Sequence, residues 1–249
     1  CMLPDPKTDA LYISNIETPD EGYWEDDNAG FISKANKAGE IKSRRWVNHE
    51  PDAEVHAPKG MCILKDYLYF SDNGHLRRVA LRGPGSVETI PLPSAVRLND
   101  MASDGAYAYV SDIELGLIYR VDVNGAYKTL KAPEGVNGVT CADGKLFCVS
   151  FTQHEVYELD PKNNADPEPF GVAAHFESLD AIEILEDGSF LVSDLKGNKI
   201  GLIAPDRATV RTLIEVEAPA DFGLDRETGL LYIPQLFVDK ASIYKLSRK

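Results

Sequence analysis

One phrase recurs along this chain at a spacing that few folds can accommodate. "NDMASDGAYAYVSD", from Asn99, returns as "NGVTCADGKLFCVS" from Asn137, "DAIEILEDGSFLVSD" from Asp180, "DFGLDRETGLLYIP" from Asp221 and "KGMCILKDYLYFSD" from Lys59. The first residues, "CMLPDPKTDALYIS", align without a gap to the Asp221 copy, so Cys1 stands opposite Asp221. From Lys59 onward the copies begin 40, 38, 43 and 41 residues apart. Each copy holds two short runs rich in β-branched and aromatic residues, separated by a turn signal. Segments such as "GLIYRVDVNGAYKTLKAP" and "KIGLIAPDRATVRTLIEV" add a third and fourth strand between copies. A period near forty with four strands per unit is propeller spacing. Six copies predict an all-β fold: one six-bladed β-propeller over residues 1–249, with four-stranded antiparallel blades around a central tunnel.

Two departures from the period are expected to matter. The first interval is 58 residues. Its excess falls in "ETPDEGYWEDDNAG", Glu17 to Gly30, an acidic, turn-rich insertion loop in blade 1. The last segment, "ASIYKLSRK", supplies only a third strand for the sixth blade, and an open edge invites association. The reading adopted is that a closing outer strand comes from residues upstream of Cys1, the alternative being a three-stranded sixth blade.

In a propeller the innermost strand of each blade lines the channel, and the residue opening it faces the channel mouth. The alignment therefore gathers Cys1, Lys59, Asn99, Asn137, Asp180 and Asp221 into one ring. Amide carbonyls and carboxylates are hard oxygen donors suited to calcium, and less readily to magnesium or manganese. Buried polar groups left unpaired each cost a few kcal/mol, so either a cation or ordered water must satisfy this ring. The −14 formal charge, 26 basic against 40 acidic residues, repels nucleic acid and anionic membranes and attracts cations. No apolar run reaches the length of a membrane span. Cys1, Cys62, Cys141 and Cys148 lack zinc-site spacing and read as buried thiols. The five histidines form no constellation and read as surface or rim groups. Neither a G-x-S-x-G elbow nor a phosphate-cradling glycine loop occurs.

Asn99 in "LND", Asn137 in "VNG" and Asp180 in "LDA", each opening an inner strand at blade spacing, resemble the SMP-30/gluconolactonase/LRE-like family, related to paraoxonases. The resemblance runs from "PDPKTDALYIS" to "IPQLFVDKASIYKL" and implies a six-bladed propeller with a divalent metal in its tunnel, usually calcium, with Mg2+, Mn2+ or Zn2+ as substitutes. It implies hydrolysis of a small lactone or ester, and periplasmic or secreted location. Asn99, Asn137 and Asp180 match the metal ligands. Asp180 also matches the proposed general base, and Arg97 a substrate-contacting arginine. The family's remaining ligand, a Glu, aligns just upstream of Cys1, and a paraoxonase histidine position is held by Lys59. Lys59 is left as a group for the site's charge or a substrate carboxylate. Asp221 is either a site residue or a blade-closing hydrogen bonder, and Asp100 or Asp221 can take a proton in place of Asp180. Arg97 also has a plain reading as an ion-pair partner. The rival to the hydrolase is a non-catalytic binding or scaffold propeller with a structural metal or a water-filled tunnel.

Overall fold

The structure is a computed structural model that describes residues 1–17, 22–48, 54–83 and 85–246. Its strands run in chain order. Blade 1 is β1 (Met2–Pro4), β2 (Ala10–Asn15), β3 (Phe31–Asn36) and β4 (Ile41–Val47). Blade 2 is β5 (Pro58–Leu64), β6 (Tyr67–Asp72), β7 (His75–Ala80) and β8 (Glu88–Ile90). Blade 3 holds β9 (Leu98–Ser103), β10 (Tyr107–Asp112), β11 (Leu117–Asp122) and β12 (Tyr127–Lys131). Blade 4 holds β13 (Val136–Ala142), β14 (Lys145–Ser150), β15 (Val156–Leu159) and β16 (Glu168–Pro169). Blade 5 is β17 (Leu179–Ile184), β18 (Phe190–Asp194), β19 (Lys199–Ile203) and β20 (Val210–Glu215). Blade 6 is β21 (Gly223–Asp225), β22 (Leu230–Gln235) and β23 (Lys240–Lys245). Each blade is an antiparallel meander from inner to outer strand; five have four strands and the sixth has three among the described residues. This is the six-bladed propeller that the repeat predicts.

Burial follows position in the blade. Second strands such as β6 and β10 are buried along nearly their whole length, while β12 and β23 are mostly exposed. The apolar side chains segregate into wedges between neighbouring blades. Tyr12 and Ile32 of blade 1 pack with Met61 and Phe70 of blade 2. Leu64 and Tyr69 meet Leu98 and Val110, Tyr109 and Ile118 meet Val136 and Leu146, and Phe147 and Val149 meet Leu179 and Phe190. Ala181 and Leu191 join Phe222 and Leu231. The smallest wedge, Met2, Leu11 and Ala35 with Tyr232, closes blade 6 onto blade 1.

Two bonds reinforce that closure: Tyr232 donates its hydroxyl to the Lys37 carbonyl at 3.0 Å, and Lys37 pairs with Asp225 at 3.0 Å. Inner strands start at one face of the disc and end at the other. The β2–β3 and β6–β7 loops therefore share the mouth face with residues 59, 99, 137 and 180. The β1–β2, β5–β6 and β7–β8 turns lie on the far face.

Candidate active site at the channel mouth

Each of four inner strands is bulged where its candidate site residue lies. Pairing jumps from Pro58 to Met61 in β5, from Leu98 to Met101 in β9, from Val136 to Val139 in β13 and from Leu179 to Ile182 in β17. Two residues, Lys59-Gly60, Asn99-Asp100, Asn137-Gly138 or Asp180-Ala181, thus oppose one on the second strand. A bulge re-aims side chains and leaves backbone groups unpaired. In three of the four the residue opposite takes up the freed N–H: Ser71 Oγ accepts from Gly60 (3.0 Å), Ser111 Oγ from Asp100 (3.0 Å) and Ser193 Oγ from Ala181 (2.9 Å).

The aspartate after each serine, fully buried, fixes the loop that enters the strand. Asp72 accepts the N–H groups of His56 (2.9 Å) and Ala57 (2.7 Å). Asp112 holds Val96 (2.9 Å) and Asp194 holds Ser178 (2.8 Å). The repeated Ser-Asp pair is therefore the device that aims the site. Gly60 and Gly138 serve the same geometry by close approach. A Cβ on Gly138 would lie 2.6 Å from Ala181 Cα and from the Asp180 carbonyl oxygen, and one on Gly60 would strike the backbone of Asn99 and Asp100.

The channel mouth gathers three carboxyl groups. Asn137 Nδ2 donates to Asp180 Oδ1 at 2.8 Å; Asn137 Oδ1 and Asp180 Oδ2 take no bond from another described residue. Asp100, at the second position of its bulge, reaches across to blade 4, where its carboxylate accepts from Val139 N (2.7 Å) as well as Met101 N (2.6 Å). Asp221 Oδ2 is buried and, with both acids ionised, has no hydrogen-bond partner.

Burial pushes the Asp100 carboxyl well above the usual carboxylate range, with the neighbouring Asp221 charge adding to the rise. Asp221 is raised by burial too, against the pull of the Cys1 ammonium and of the neighbouring Asp100 carboxyl. Asp180 is pushed up to about 7, first by burial and then by Asp221, against the Asn137 donation. Deeper along β17, Glu183 accepts from Arg226 (2.6 Å) and Thr140 (3.5 Å), and burial still raises it.

The remaining expected residues take other positions. The Lys59 ammonium turns to the Ala57 carbonyl and Asn73 Oδ1, each at 3.0 Å, and stacks 3.9 Å from the Trp24 ring. Burial pulls its pKa down to about 7 against the pull of Asp72 and Asp26. Arg97 pairs with Glu114 at 3.0 Å, both side chains about half exposed, and its guanidinium lies 5.5 Å from Trp24. Asn99 accepts the Ser71 hydroxyl at its main-chain carbonyl, and its side chain makes no bond to another described residue. The cysteines are all free thiols, but only Cys62 and Cys148 are buried, Cys1 and Cys141 being half-buried at strand ends, and His49 lies outside the described residues.

The insertion loop is the element whose role the residues alone did not reveal. Its residues 22–30 fold back over the mouth, anchored by Asn73 Nδ2 to Glu25 O (3.0 Å) and Asp26 Oδ1 (2.9 Å). Tyr23 is half-buried there, and desolvation together with Asp180 and Asp221 raises its hydroxyl's pKa. The signal available was two adjacent aromatics in an otherwise acidic loop.

The donor set fits a hard divalent cation. Oxygen ligands predominate, Asp221 Oδ2 has no hydrogen-bond partner, and three neighbouring buried acids carry a repulsion that a cation would remove. No described group of three or more His, Cys, Asp or Glu is arranged to chelate an ion, so any such site must draw on the asparagine carbonyls.

No known family's sequence profile matches the chain, and no curated protein sequence matches it. Solved structures do. A catalytically inactive virginiamycin B lyase from Staphylococcus aureus with quinupristin superimposes with a TM-score of 0.68 at 17% identity, covering 99% of this chain and 80% of the lyase. A luciferin-regenerating enzyme gives 0.69 at 16% identity over 96% of this chain and 85% of the enzyme. A nidogen/laminin complex gives 0.66 at 13% identity over 87% and 90%. At these identities the likeness establishes the propeller fold.

Proposed function

We propose that the chain is a divalent-cation-dependent hydrolase of a small lactone or ester, of the SMP-30/gluconolactonase kind. The observation that carries this reading is the convergence of Asp100, Asp180 and Asp221 with Asn137 at one channel mouth, one buried carboxylate oxygen there having no partner. Asn99, Asn137 and Asp180 would hold the ion, calcium being the best match to neutral and anionic oxygens, with Mg2+, Mn2+ or Zn2+ as substitutes. When bound, the ion supplies positive charge that stabilises the oxyanion of an acyl-transfer transition state.

The chain's own groups do the rest. Asn137 fixes the Asp180 carboxylate by its Nδ2 donation, leaving Oδ2 to accept a proton from an attacking water. Asp100, its pKa raised by burial beside Asp221, can hold a proton and return it to the departing alkoxide. Tyr23 and Trp24 exclude bulk water from the mouth, and Lys59 and Arg97 offer positive charge to an anionic substrate group. The fold neighbours include two proteins named as enzymes, a lyase and a luciferin-regenerating enzyme, which agrees with chemistry on this scaffold. Periplasmic or secreted location belongs to the same reading.

A second reading, a binding propeller with a structural ion, is favoured by the aromatic cover: Trp24 against Lys59 narrows access to the acids. A lactone and ester panel, assayed with calcium and with chelator, separates the two. The hydrolase reading expects turnover that disappears with chelator and falls at least 100-fold in Asp180→Asn. Calcium-dependent thermal stabilisation without turnover, in wild type and in Trp24→Ala alike, supports the binding propeller. Neither turnover nor stabilisation removes both.

A further inference from the structure

On the far face, a crevice of about 570 Å³ opens between blades 1 and 2. That volume is the size of a small-molecule site. Five cations line it: Lys7 from the β1–β2 turn, Lys34 from β3, Lys42 from β4, Lys65 from the β5–β6 turn and Arg82 just after β7. Such a gathering is unexpected in a chain with 26 basic and 40 acidic residues, where surface cations have acids at hand to pair with. Lys42 does pair, with Glu40 at 2.8 Å. Lys7, Lys34, Lys65 and Arg82 form no ion pair with any described residue.

The acids in the lining offset only part of this charge: five cations against the three carboxylates Asp5, Asp9 and Asp66 leave an excess of two positive charges. Asp5 spends its carboxylate inside its own turn, on Lys7 N (2.8 Å) and Thr8 Oγ1 (2.6 Å), and Asp9 accepts from Lys37 N (3.3 Å). Asp66 is the remaining lining carboxylate, and no ion pair ties it to any of the five. Lys34 is held in place from below, its ammonium 5.5 Å from the Tyr12 ring and 5.3 Å from that of Trp46. Aromatic faces under the lysine fix the charge while leaving its other side toward the crevice.

We propose that this crevice binds a small polyanion carrying two or more phosphate or carboxylate groups, at a site separate from the channel mouth. The four cations without an ion pair among the described residues come from four segments and two blades, so one anionic group cannot satisfy them together. A ligand with several can, and in doing so would clamp blade 1 to blade 2. Cations spread across such a crevice repel one another when it is empty, and ligand charge removes that repulsion.

Calorimetric and thermal-melt titrations of the metal-free protein with pyrophosphate and with citrate, at fixed ionic strength, test this. One-to-one saturable binding with at least one of them is expected, weakening as sodium chloride rises. Pyrophosphate alone would assign phosphate chemistry and citrate alone carboxylate chemistry. Lys65→Ala with Arg82→Ala, both exposed positions, should weaken it at least 10-fold, and Lys34→Met should reduce the ligand-induced melting shift. Arg97→Ala, at the opposite face, should leave affinity unchanged. Absence of saturable binding to both anions overturns the proposal. So does affinity indifferent to the Lys65/Arg82 pair, or affinity lost in Arg97→Ala.

Discussion

Asp180 and Lys59 carry opposite ionisation penalties within one ring. Burial holds the Asp180 pKa near 7, above the value of about 3.9 for an unfolded aspartate. The folded chain therefore binds more protons between those values, and stability falls as pH rises from about 4 to about 7. In chelator, Asp180→Asn should flatten that fall, a difference on the order of 5–10 °C in Tm at neutral pH, and calcium should offset it in wild type alone. Lys59 works the other way: its folded pKa, near 7, lies below the unfolded value of about 10.4. Stability should rise as pH climbs through that window and fall back as pH drops, and Lys59→Met should lose the rise in pH-dependent melts. At this scale the grouping of Asn137 and Asp180 with Asp221 was readable from alignment, because residues opening equivalent strands share one environment. Lys59 joins the ring in sequence but turns its ammonium to Asn73 and Trp24. That choice depends on a loop whose landing place no local pattern encodes.

At the scale of the strand, a bulge with its Ser-Asp support sets Lys59, Asn99 and Asp180 in place. Asp194 satisfies the N–H groups of Glu177, Ser178 and Gly197 from a fully buried position. Asp194→Ala would leave these donors unpaired and should cost about 3 kcal/mol in denaturant unfolding. Asp194→Asn, able to accept part of the set, should cost less. Gly138→Ala should destabilise by about 2 kcal/mol or more, because the clash is with backbone of the next blade and cannot be relieved by a rotamer change. It should also blunt calcium stabilisation by displacing Asp180. The "SD" dipeptide was visible in three copies of the repeat. Its meaning was not, since a Ser and an Asp after a buried run also fit an ordinary turn. Only the two-against-one pairing shows which donors they serve.

At the scale of the molecule, six wedges of apolar side chains hold the ring, and the closing one between blades 6 and 1 is the smallest. Tyr232 and Lys37 therefore bear more of that junction than their counterparts elsewhere. Tyr232→Phe removes the hydroxyl bond to Lys37 O and should cost about 1 kcal/mol, read as earlier opening of blade 6 in hydrogen exchange. Chelation with EDTA should make the channel-mouth strands exchange faster while leaving this junction unchanged.

Period, strand alternation and turn residues, all local properties, were enough to specify a six-bladed ring and to name the residues opening its inner strands. Strand pairing needs only patterns a few residues long, repeated. The three-dimensional arrangement alone decided that Asp100 crosses to Val139 beside Asp221, that Tyr23 and Trp24 lie over the mouth, and that five cations line one crevice on the far face. Those outcomes depend on which segments, distant in the chain, come within hydrogen-bonding or Coulombic reach, and that is settled by packing the blades together.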